Sequence, residues 1–583
     1  MIKLRSLLLA ATFALPAIPT TGALAAPPAQ LSATERNQYR EVFAAIRAGD
    51  WTNANARLDG MREGPLHAAA RAEIILAKDS PRAELPQILP LISAAPEMPK
   101  AAQLGRLAET RGAEEIPPIL PTQNLVWAGS QPRRGRPKAV KGDPIADTLE
   151  LQIQPLIVAD QPPAAEALLR DNELLLSPEA LSAFQQRIAW SYYLTGNNQA
   201  ARELALKTAR QGVGEWTVHS EWVAGLAAWR SGDCNGAADS FARVASRSGD
   251  VELTAAGHYW AARADMKCKR PERVQAHLRG GAQHKETFYG ILSGTALGIQ
   301  TRNFSELHDY GDAEWRGVAT KPNVRAAIAL TEIGEAALAD EFIRHQAKLG
   351  GAADHAALLH LADDLNLAST QYWLAHNAPR GTSVNPAARY PMPDWRPTGG
   401  WRVDPSWVFA HALQESNFRT QVVSPANAMG VMQVRPGTAG DIARSRGQAF
   451  DQSQLLDPNV NIEYGQSYIE YLRTNSGTGG LLPKVIAAYN AGPAPISAWN
   501  GRQLDGGDPL LYIESIPYWE TRGYVPIVLR NYWIYEQKAG KASASRTALA
   551  QGMWPRAPGM PGPTAVRIEP RPAFGTTNAG GVN

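Results

Sequence analysis

The sequence contains few of the residues that define several common classes of protein. Only two of its 583 residues are cysteines, which is too few for a disulfide-rich scaffold or a cysteine-rich zinc site. Charged residues make up 19% of the chain and the formal net charge is +3, so it lacks the strongly basic character of proteins that bind nucleic acid electrostatically. With 44% hydrophobic residues, it is too apolar to be disordered throughout. These exclusions and its length favour a folded protein with several domains.

No apolar run beyond the N-terminus reaches the length of about 20 residues that a membrane-spanning helix needs. The N-terminus has Lys3 and Arg5, an apolar stretch over residues 7–18, and small residues within 23–25. This order of basic, apolar and cleavage regions is typical of a secretory signal peptide. A membrane anchor is the alternative, but the stretch is short and interrupted by proline. We predict a signal peptide at residues 1–25 and an exported protein that does not span the membrane.

The first two thirds of the chain predict pairs of helices joined by short turns. Three equivalent turns contain Gly196, Gly232 and Cys268, which are 36 residues apart. This spacing is close to the period of about 34 residues that is typical of tetratricopeptide-like hairpins. Because one hairpin cannot bury its apolar face alone, the hairpins are expected to stack into a solenoid. We predict an α-superhelical domain over residues 26–390, with a helical linker region near 325–377.

Both cysteines of the chain fall within this predicted solenoid. Cys234 and Cys268 lie near the turns of successive hairpins, and therefore on one edge of the stack. An exported protein enters an oxidising compartment, where such cysteines can pair. We expect a disulfide between them, and two buried free thiols are the alternative.

Three stretches depart from the helical pattern. Residues 113–145 are rich in proline and contain a basic cluster, which consists of Arg133, Arg134, Arg136 and Lys138. Such a composition is typical of a solvated linker or surface insertion, and contact with an anionic polymer is the alternative. Proline and glycine over residues 378–400 indicate a domain boundary. Residues 541–583 are rich in glycine, proline and alanine, and we expect them to be disordered.

The side chains with the chemistry of a catalytic site lie between residues 400 and 540. Asp404 and Pro405 predict the start of a helix, and Glu415 projects from its apolar face in the last turn. Burial and the negative end of the helix dipole both disfavour a carboxylate, so both should raise the pKa of Glu415. A carboxylic acid that is protonated near neutral pH can act as the general acid that cleaves a glycosidic bond. The alternative is a glutamate at the edge of a buried stripe that reaches solvent or binds arginine.

Three further segments follow this helix. Residues 424–438 form a loop of small residues with two methionines and a glutamine. A later helix is forced to end at Gly492 and Pro493, so Tyr489 and Asn490 can present a hydroxyl and an amide to a cleft. The segment from Ile516 to Val525 leads into an aromatic helix.

These motifs and their order resemble the soluble lytic murein transglycosylases of the lysozyme-like superfamily. The resemblance spans about 110 residues and is carried by Glu415-Ser416-Asn417-Phe418, the loop 424–438, Ala488-Tyr489-Asn490-Ala491-Gly492-Pro493 and Glu520-Thr521-Arg522-x-Tyr524-Val525. The helical region before it, including Thr287-Phe288-Tyr289-Gly290, also resembles the ring of the long soluble type. The resemblance implies an all-α fold, with an N-terminal α-superhelical solenoid of stacked helix hairpins and a C-terminal lysozyme-like α domain over residues 400–540.

The resemblance implies that Glu415 is the only catalytic acid and base. It would protonate the glycosidic oxygen between N-acetylmuramic acid and N-acetylglucosamine, and then take the proton of the muramyl 6-hydroxyl. The product would carry a 1,6-anhydro end, and the substrate's acetamido group would replace a second enzyme carboxylate. Tyr489 would steady Glu415 or the cationic transition state. The implied substrate-binding residues are Ser424, Met432, Gln433, Tyr489, Asn490, Glu520 and Tyr524.

The same resemblance implies peptidoglycan glycan strands as the partner and the periplasm as the location, with no cofactor. The solenoid would hold glycan strands near the cleft or bind other cell-wall proteins. A metal role for His411 is not expected, because no second ligand is placed with it in the sequence. Asn427 stands where the family usually has glycine, and asparagine tolerates a left-handed backbone. Arg435 replaces a usually apolar residue near the cleft.

Two other functions remain open. A lysozyme-type hydrolase on the same scaffold would use water as the nucleophile and would need a second carboxylate to hold it, such as Glu520. A helical-repeat adaptor could instead bind glycan without cleaving it. Anhydro product ends would support the transglycosylase, reducing ends would support the hydrolase, and unchanged turnover after Glu415→Gln would exclude both catalytic readings.

Overall fold

The computed structural model describes residues 27–299 and 312–569. Within these residues the secondary structure is helical, apart from four strands of two residues each, so the prediction of an all-α fold is confirmed. In this part of the chain, no helix offers the apolar length that a bilayer crossing requires. The predicted signal peptide at residues 1–25 lies outside the described residues.

The helices of the first half are numbered in chain order. Before the basic insertion they are α1 Ala33–Arg47, α2 Trp51–Asp59, α3 His67–Leu76, α4 Leu85–Ala94 and α5 Ala101–Thr110. The central helices are α6 Pro144–Val158, α7 Pro162–Asn172, α8 Pro178–Leu194, α9 Asn198–Gln211, α10 Trp216–Arg230, α11 Cys234–Arg247, α12 Val251–Lys267, α13 Pro271–Ala282 and α14 Phe288–Ala296.

The numbering continues through the second half. After residue 311 come α15 Asp312–Ala319, α16 Pro322–Ile333, α17 Ala336–Leu349, α18 Ala352–Asp364 and α19 Ala368–His376. The C-terminal helices are α20 Pro405–Ser416, α21 Pro436–Ser445, α22 Pro458–Thr474, α23 Leu482–Ala491, α24 Pro493–Arg502, α25 Pro509–Glu514, α26 Trp519–Lys538 and α27 Ala544–Ala550. The strands form two antiparallel pairs, β1 Val126–Trp127 with β2 Asn377–Ala378 and β3 Trp554–Pro555 with β4 Ala565–Val566.

Contacts along the chain divide the described residues into two compact units. One contains residues 27–124 and 312–365, and the other contains residues 125–299 and 366–569. The predicted superhelical domain over residues 26–390 is therefore shared between the two units. The second unit also holds the whole predicted catalytic region, so the central hairpins and the candidate site belong to one body.

The first unit is closed by contacts between its two chain segments. Helix α1 begins with a capping box in which Ser32 and Glu35 satisfy each other's backbone N–H groups. Glu332 on α16 accepts a hydrogen bond from the backbone N–H of Gln30 at 2.6 Å. This bond joins residues about 300 positions apart in the chain, which explains why α16 belongs with the first helices.

The hairpins of the second unit turn through one residue in the left-handed conformation. Gly196 has φ 89° and Gly232 has φ 81°, and the equivalent residue of the next hairpin is Lys269, with φ 58°. Cys268 is instead the last residue before that position, at the C-cap of α12. The predicted register is therefore one residue off in the third hairpin. Lysine adopts the left-handed conformation at some cost, where glycine adopts it freely.

Small residues bring the helices of this solenoid close together, as the alanine-rich pattern predicted. A Cβ atom on Gly257 of α12 would lie 2.6 Å from the backbone nitrogen of Ala245 on α11. Next to this contact, the fully buried ring of Trp260 packs on Trp222 and Phe241 at centroid distances of 6.4 and 5.5 Å. Close backbone approach and large aromatic rings therefore fill the space between the hairpins.

The basic part of the insertion packs against the protein. We call residues 132–138 the basic strap. Arg134 forms a two-bond ion pair with the buried Glu514 at 2.6 and 3.1 Å. Asp250 accepts a hydrogen bond from the backbone of Gly135 at 2.7 Å. The interpretation as a solvated linker is wrong here, because a buried carboxylate and a solenoid side chain fix the strap in place.

The catalytic region is built around helix α20. Asp404 caps its first turn, with Oδ1 accepting the backbone N–H of Ser406 at 2.9 Å, as the sequence predicted. The helix packs on α26, and the buried ring of Trp407 lies near Tyr532 at a centroid distance of 6.4 Å. A helix buried on most of its surface places its polar side chains in surroundings with little water.

The start of the C-terminal tail is ordered, so the prediction of disorder is wrong for residues 541–569. Helix α27 lies in this segment, and the indole of Trp554 is 1% exposed and donates to the carbonyl of Gly507 at 2.7 Å. Because this segment is rich in glycine and proline, its composition did not indicate that a few apolar side chains would be buried. Residues 570–583 lie outside the described part of the chain.

Cys234 and Cys268 form a disulfide, with their Cα atoms 5.6 Å apart. It joins the start of α11 to the end of α12. We predict that Cys234→Ser with Cys268→Ser lowers the free energy of unfolding by about 3 kcal/mol, because a loop of this length is no longer closed in the unfolded chain. Denaturant unfolding followed by tryptophan fluorescence measures the change. Reductant should destabilise the wild type only, and an equal effect on the double variant would contradict the prediction.

Candidate active site

Helix α20 ends in a way that fixes the direction of Glu415. Asn417 and Phe418 take the left-handed backbone conformation, with φ 53° and 62°, and stop the helix just after the glutamate. Phe418 is fully buried, and Ser416 Oγ donates to the carbonyl of Val431 at 2.8 Å. Both contacts hold the end of the helix against the core, so the side chain of Glu415 projects from a rigid backbone.

The carboxyl group of Glu415 is half-buried, and the loss of water raises its pKa to about 7. Tyr524 Oη donates a hydrogen bond to Glu415 Oε1 at 2.5 Å, which favours the carboxylate and opposes the increase. The negative charge of Glu520 adds to the increase. Burial is the largest of these effects, so a large fraction of Glu415 keeps its proton near neutral pH. The pKa of Glu415 is therefore raised, as its position on the buried face of the helix predicted.

His411 lies one turn before Glu415 and is fully buried. Its Nδ1 lies 2.7 Å from Tyr524 Oη, and its ring lies on that of Tyr489 with centroids 4.3 Å apart. Burial lowers the pKa of His411 to about 3, so the imidazole is neutral. The tyrosine hydroxyl therefore lies between two acceptors, a neutral ring nitrogen and the carboxyl group. This chain of three polar groups can hold the hydroxyl in place whether or not Glu415 carries its proton.

The loop 424–438 is held beside Glu415 by a side chain that the sequence did not single out. The buried amide of Asn461, on α22, accepts the backbone N–H of Met432 and donates to the carbonyl of Met429, both at 2.8 Å. Gly430 lies between them with φ 71°, and a Cβ there would be 2.2 Å from the carbonyl of Leu455. An asparagine on a helix gives no signal of such a role until the loop is seen folded over it.

Two of the predicted cleft residues support the loop in different ways. Tyr489 Oη donates to the carbonyl of Met432 at 2.9 Å, so the hydroxyl bonded to Glu415 is that of Tyr524. The side chain of Met432 is fully buried, so its assignment as a substrate contact is wrong: it packs under the loop. The family motif could not indicate which way this side chain points.

The remaining predicted residues lie around the loop and the start of α26. Gln433 has φ 49° and donates to the carbonyl of Gly430 at 2.9 Å, while Ser424 Oγ accepts the N–H of Ala428 at 3.0 Å. Both polar groups therefore form bonds within the loop. Asn427 also takes the left-handed conformation, with φ 59°, as expected of an asparagine in a glycine position.

Asn490 and Glu520 contact each other near Glu415. Asn490 Nδ2 donates to Glu520 Oε1 at 3.4 Å, and Thr521 Oγ1 donates to Asn490 Oδ1 at 2.6 Å. Glu520 is exposed and acts on Glu415 through its charge. Among the described residues, no group of three histidine, cysteine or acidic side chains could hold a metal ion.

Residues 396–509 match the model of the family described as "Transglycosylase SLT domain". The match is confined to this part of the chain. The soluble lytic murein transglycosylase of Escherichia coli (strain K12) is 40% identical over 136 residues, which cover 23% of this chain and 21% of the relative. That of Salmonella typhimurium is 36% identical over 163 residues, or 28% and 24% of the two chains. The matched region thus spans less than a quarter of the length of these relatives.

Solved structures extend the likeness to most of the chain. The 70 kDa soluble lytic transglycosylase of Escherichia coli gives a TM-score of 0.56 at 19% identity, covering 90% of this chain and all of the other. An inactive mutant of the lytic transglycosylase Slt of Pseudomonas aeruginosa gives 0.53 at 20% identity, covering 88% and 90% of the two chains. The predicted fold, a helical solenoid with a lysozyme-like α domain, is confirmed.

The hydrogen bond from Tyr524 generates a test of the electrostatics. Because this bond favours the carboxylate, we predict that Tyr524→Phe raises the pKa of Glu415 above that of the wild type. Titration of the Glu415 carboxyl carbon by NMR, assigned by its loss in Glu415→Gln, measures the change. Tyr518→Phe, at an exposed tyrosine just before α26, is the matched control and should leave the pKa unchanged. A lower pKa in Tyr524→Phe would contradict the assigned contact.

Proposed function

We propose that the protein is a peptidoglycan lytic transglycosylase, a carbon–oxygen lyase that cleaves the β-1,4 bond between N-acetylmuramic acid and N-acetylglucosamine. The observation that carries the proposal is a half-buried glutamate, Glu415, with a raised pKa and a tyrosine hydroxyl on its carboxyl group, within a transglycosylase SLT domain. The names of the relatives add support, since they are described as soluble lytic murein transglycosylases.

In the proposed first step, Glu415 gives its proton to the glycosidic oxygen, and the bond to the anomeric carbon of the muramyl residue breaks. The substrate's acetamido oxygen stabilises the positive charge that develops on that carbon. In the second step the muramyl 6-hydroxyl attacks the same carbon and loses its proton to the Glu415 carboxylate. The glutamate is thereby returned to its protonated state, and the product carries a 1,6-anhydro end without the addition of water.

Tyr524 supports both steps through one hydroxyl group. After the first step it donates to the Glu415 carboxylate, which a charge-assisted bond of this kind stabilises. When Glu415 is protonated, the tyrosine can donate to the neutral nitrogen of His411 at 2.7 Å instead. The carboxyl group thus keeps a fixed position through the change of charge that general acid and base chemistry requires.

A lysozyme-type hydrolase is the second candidate, because Glu520 is close enough for its charge to act on Glu415. It would hold a water molecule against the sugar on the far side of the bond. We further propose that the protein acts on peptidoglycan in the periplasm after removal of residues 1–25.

Replacement of the acid tests the reaction and separates the candidates. Glu415→Gln keeps the shape of the side chain but cannot give or take the proton, so release of anhydro-ended muropeptides should fall by about a thousandfold. Mass spectrometry of products from purified cell wall measures it. Glu520→Gln is the matched control and should retain anhydro products. Reducing ends from the wild type would contradict the proposal in favour of hydrolysis, and turnover by Glu415→Gln would contradict catalysis by this residue.

The raised pKa gives a second prediction, on pH dependence. A general acid works in its protonated form, which is present below the pKa of about 7 and is lost as the pH rises through it. We therefore predict that kcat/KM is highest on the acidic side and falls tenfold per pH unit well above 7. Initial rates on soluble glycan strands over a pH series measure this profile. Activity that increases steadily through pH 8 would contradict the role of Glu415 as an acid.

A further inference from the structure

The first turns of helix α26 separate the candidate active site from a second cavity. Tyr524, with Glu520 and Thr521, lies on the side of Glu415 and Asn490. Trp519 and Arg522, on another face of the same turns, line a cavity of about 200 Å³ that is open to solvent. The cavity thus lies behind the wall of the cleft and is distinct from it.

Five parts of the second unit contribute to this cavity. Helices α6, α8 and α10 form its solenoid side, the basic strap forms one edge, and the segment from Pro517 to Arg522 closes it on the catalytic side. Contact with an anionic polymer is the alternative that the sequence left open for this strap. Its side chains that line the cavity are those of Arg134, Arg136 and Pro137.

The cavity carries positive charge that the protein does not neutralise. Arg134 is paired with Glu514, and Arg187 is paired with Glu150. Arg522 forms no ion pair with any described residue; it donates to the carbonyl of Ile516 at 3.0 Å.

Glu514 acts on Arg522 through its charge, but this carboxylate is already paired with Arg134. Arg136 is exposed on the strap and is likewise free of an ion pair within the described residues. Burial lowers the pKa of Arg522 to about 9; the negative charge of Glu514 opposes this decrease, and the positive charge of Arg134 adds to it. His219, which also lines the cavity, has its pKa lowered to about 4 by burial and by Arg134. The guanidinium of Arg522 is therefore held charged where an anion would stabilise it.

Aromatic rings fix this guanidinium and provide apolar surface next to it. The Cζ atom of Arg522 lies 4.1 Å from the ring centroid of Trp190 and 5.0 Å from that of Trp519. Both rings are half-buried, so part of each remains open to a ligand. A planar donor held against aromatic faces loses little conformational freedom when it binds a carboxylate through two bonds. The site is suited to a carboxylate next to an apolar group.

We propose that this cavity is a second binding site for the stem peptides of peptidoglycan. This inference depends on the proposed function for its choice of ligand. In the glycan strand the lactyl carboxyl groups are bound to the peptide as amides, so the free carboxylates of the polymer belong to the stem peptides. A peptide carboxylate binds Arg522 and Arg136, and the alkyl groups of the peptide pack on Trp190 and Trp519. The site holds cell wall next to the cleft without contacting the bond that is cleaved.

Binding to the catalytically blocked Glu415→Gln protein tests this site. The probes are a free stem tetrapeptide and neutral chitotetraose, measured by isothermal titration calorimetry. We expect Arg136→Ala and Arg522→Lys each to weaken tetrapeptide binding by about tenfold, the loss of one charge-assisted bond, while chitotetraose binding is unchanged. Arg444→Ala is the matched control, because Arg444 is exposed on α21 and pairs with Asp441. Thermal unfolding of each variant checks that the fold is kept.

The outcomes separate this inference from the proposed function. Absence of tetrapeptide binding at millimolar concentration, or equal binding by the two variants and the control, would overturn the site even if the wild type releases anhydro products. Tetrapeptide binding that depends on Arg136 and Arg522 would support the site even if the products carry reducing ends. Equal loss of chitotetraose binding in both variants would place their effect on the cleft and would also overturn the inference.

Discussion

The chemistry of this protein depends on the removal of water from one carboxyl group. Glu415 lies at the end of a helix whose other side chains are almost all buried, and desolvation of the carboxyl group outweighs the hydrogen bond from Tyr524. The result is an acid that can give up a proton near neutral pH and take it back. The left-handed residues that end α20 and the amide of Asn461 beneath the loop contribute by keeping this geometry rigid.

The solenoid contributes to the same site through buried charges. Arg134 of the basic strap neutralises Glu514, at the end of the short helix α25, and Arg263 on α12 pairs with Asp508 at its start, at 2.7 Å. Leaving any one of these charges without its partner in a buried position would be costly. The segment that leads into α26 is therefore fixed on the solenoid, and the first turns of α26, which follow it, carry Glu520 and Tyr524. The proposed cleft and the cavity behind it share this support.

The sequence predicted those features that depend on local chemistry. The cap at Asp404, the left-handed Asn427 and the raised pKa of Glu415 follow from residue type and position along a helix. Features that depend on distant parts of the chain were missed or misplaced. The packing of the strap depends on Glu514, almost 400 residues away, and the order of the tail depends on Trp554. No local pattern indicates either partner.

The central claim is that Glu415 is protonated in the free protein near neutrality. The infrared difference spectrum of wild type minus Glu415→Gln, recorded at pH 6, tests it most directly. The account predicts the carbonyl band of a carboxylic acid, which disappears as the pH is raised above 8. A spectrum that shows only the bands of an ionised carboxylate at pH 6 would contradict the account.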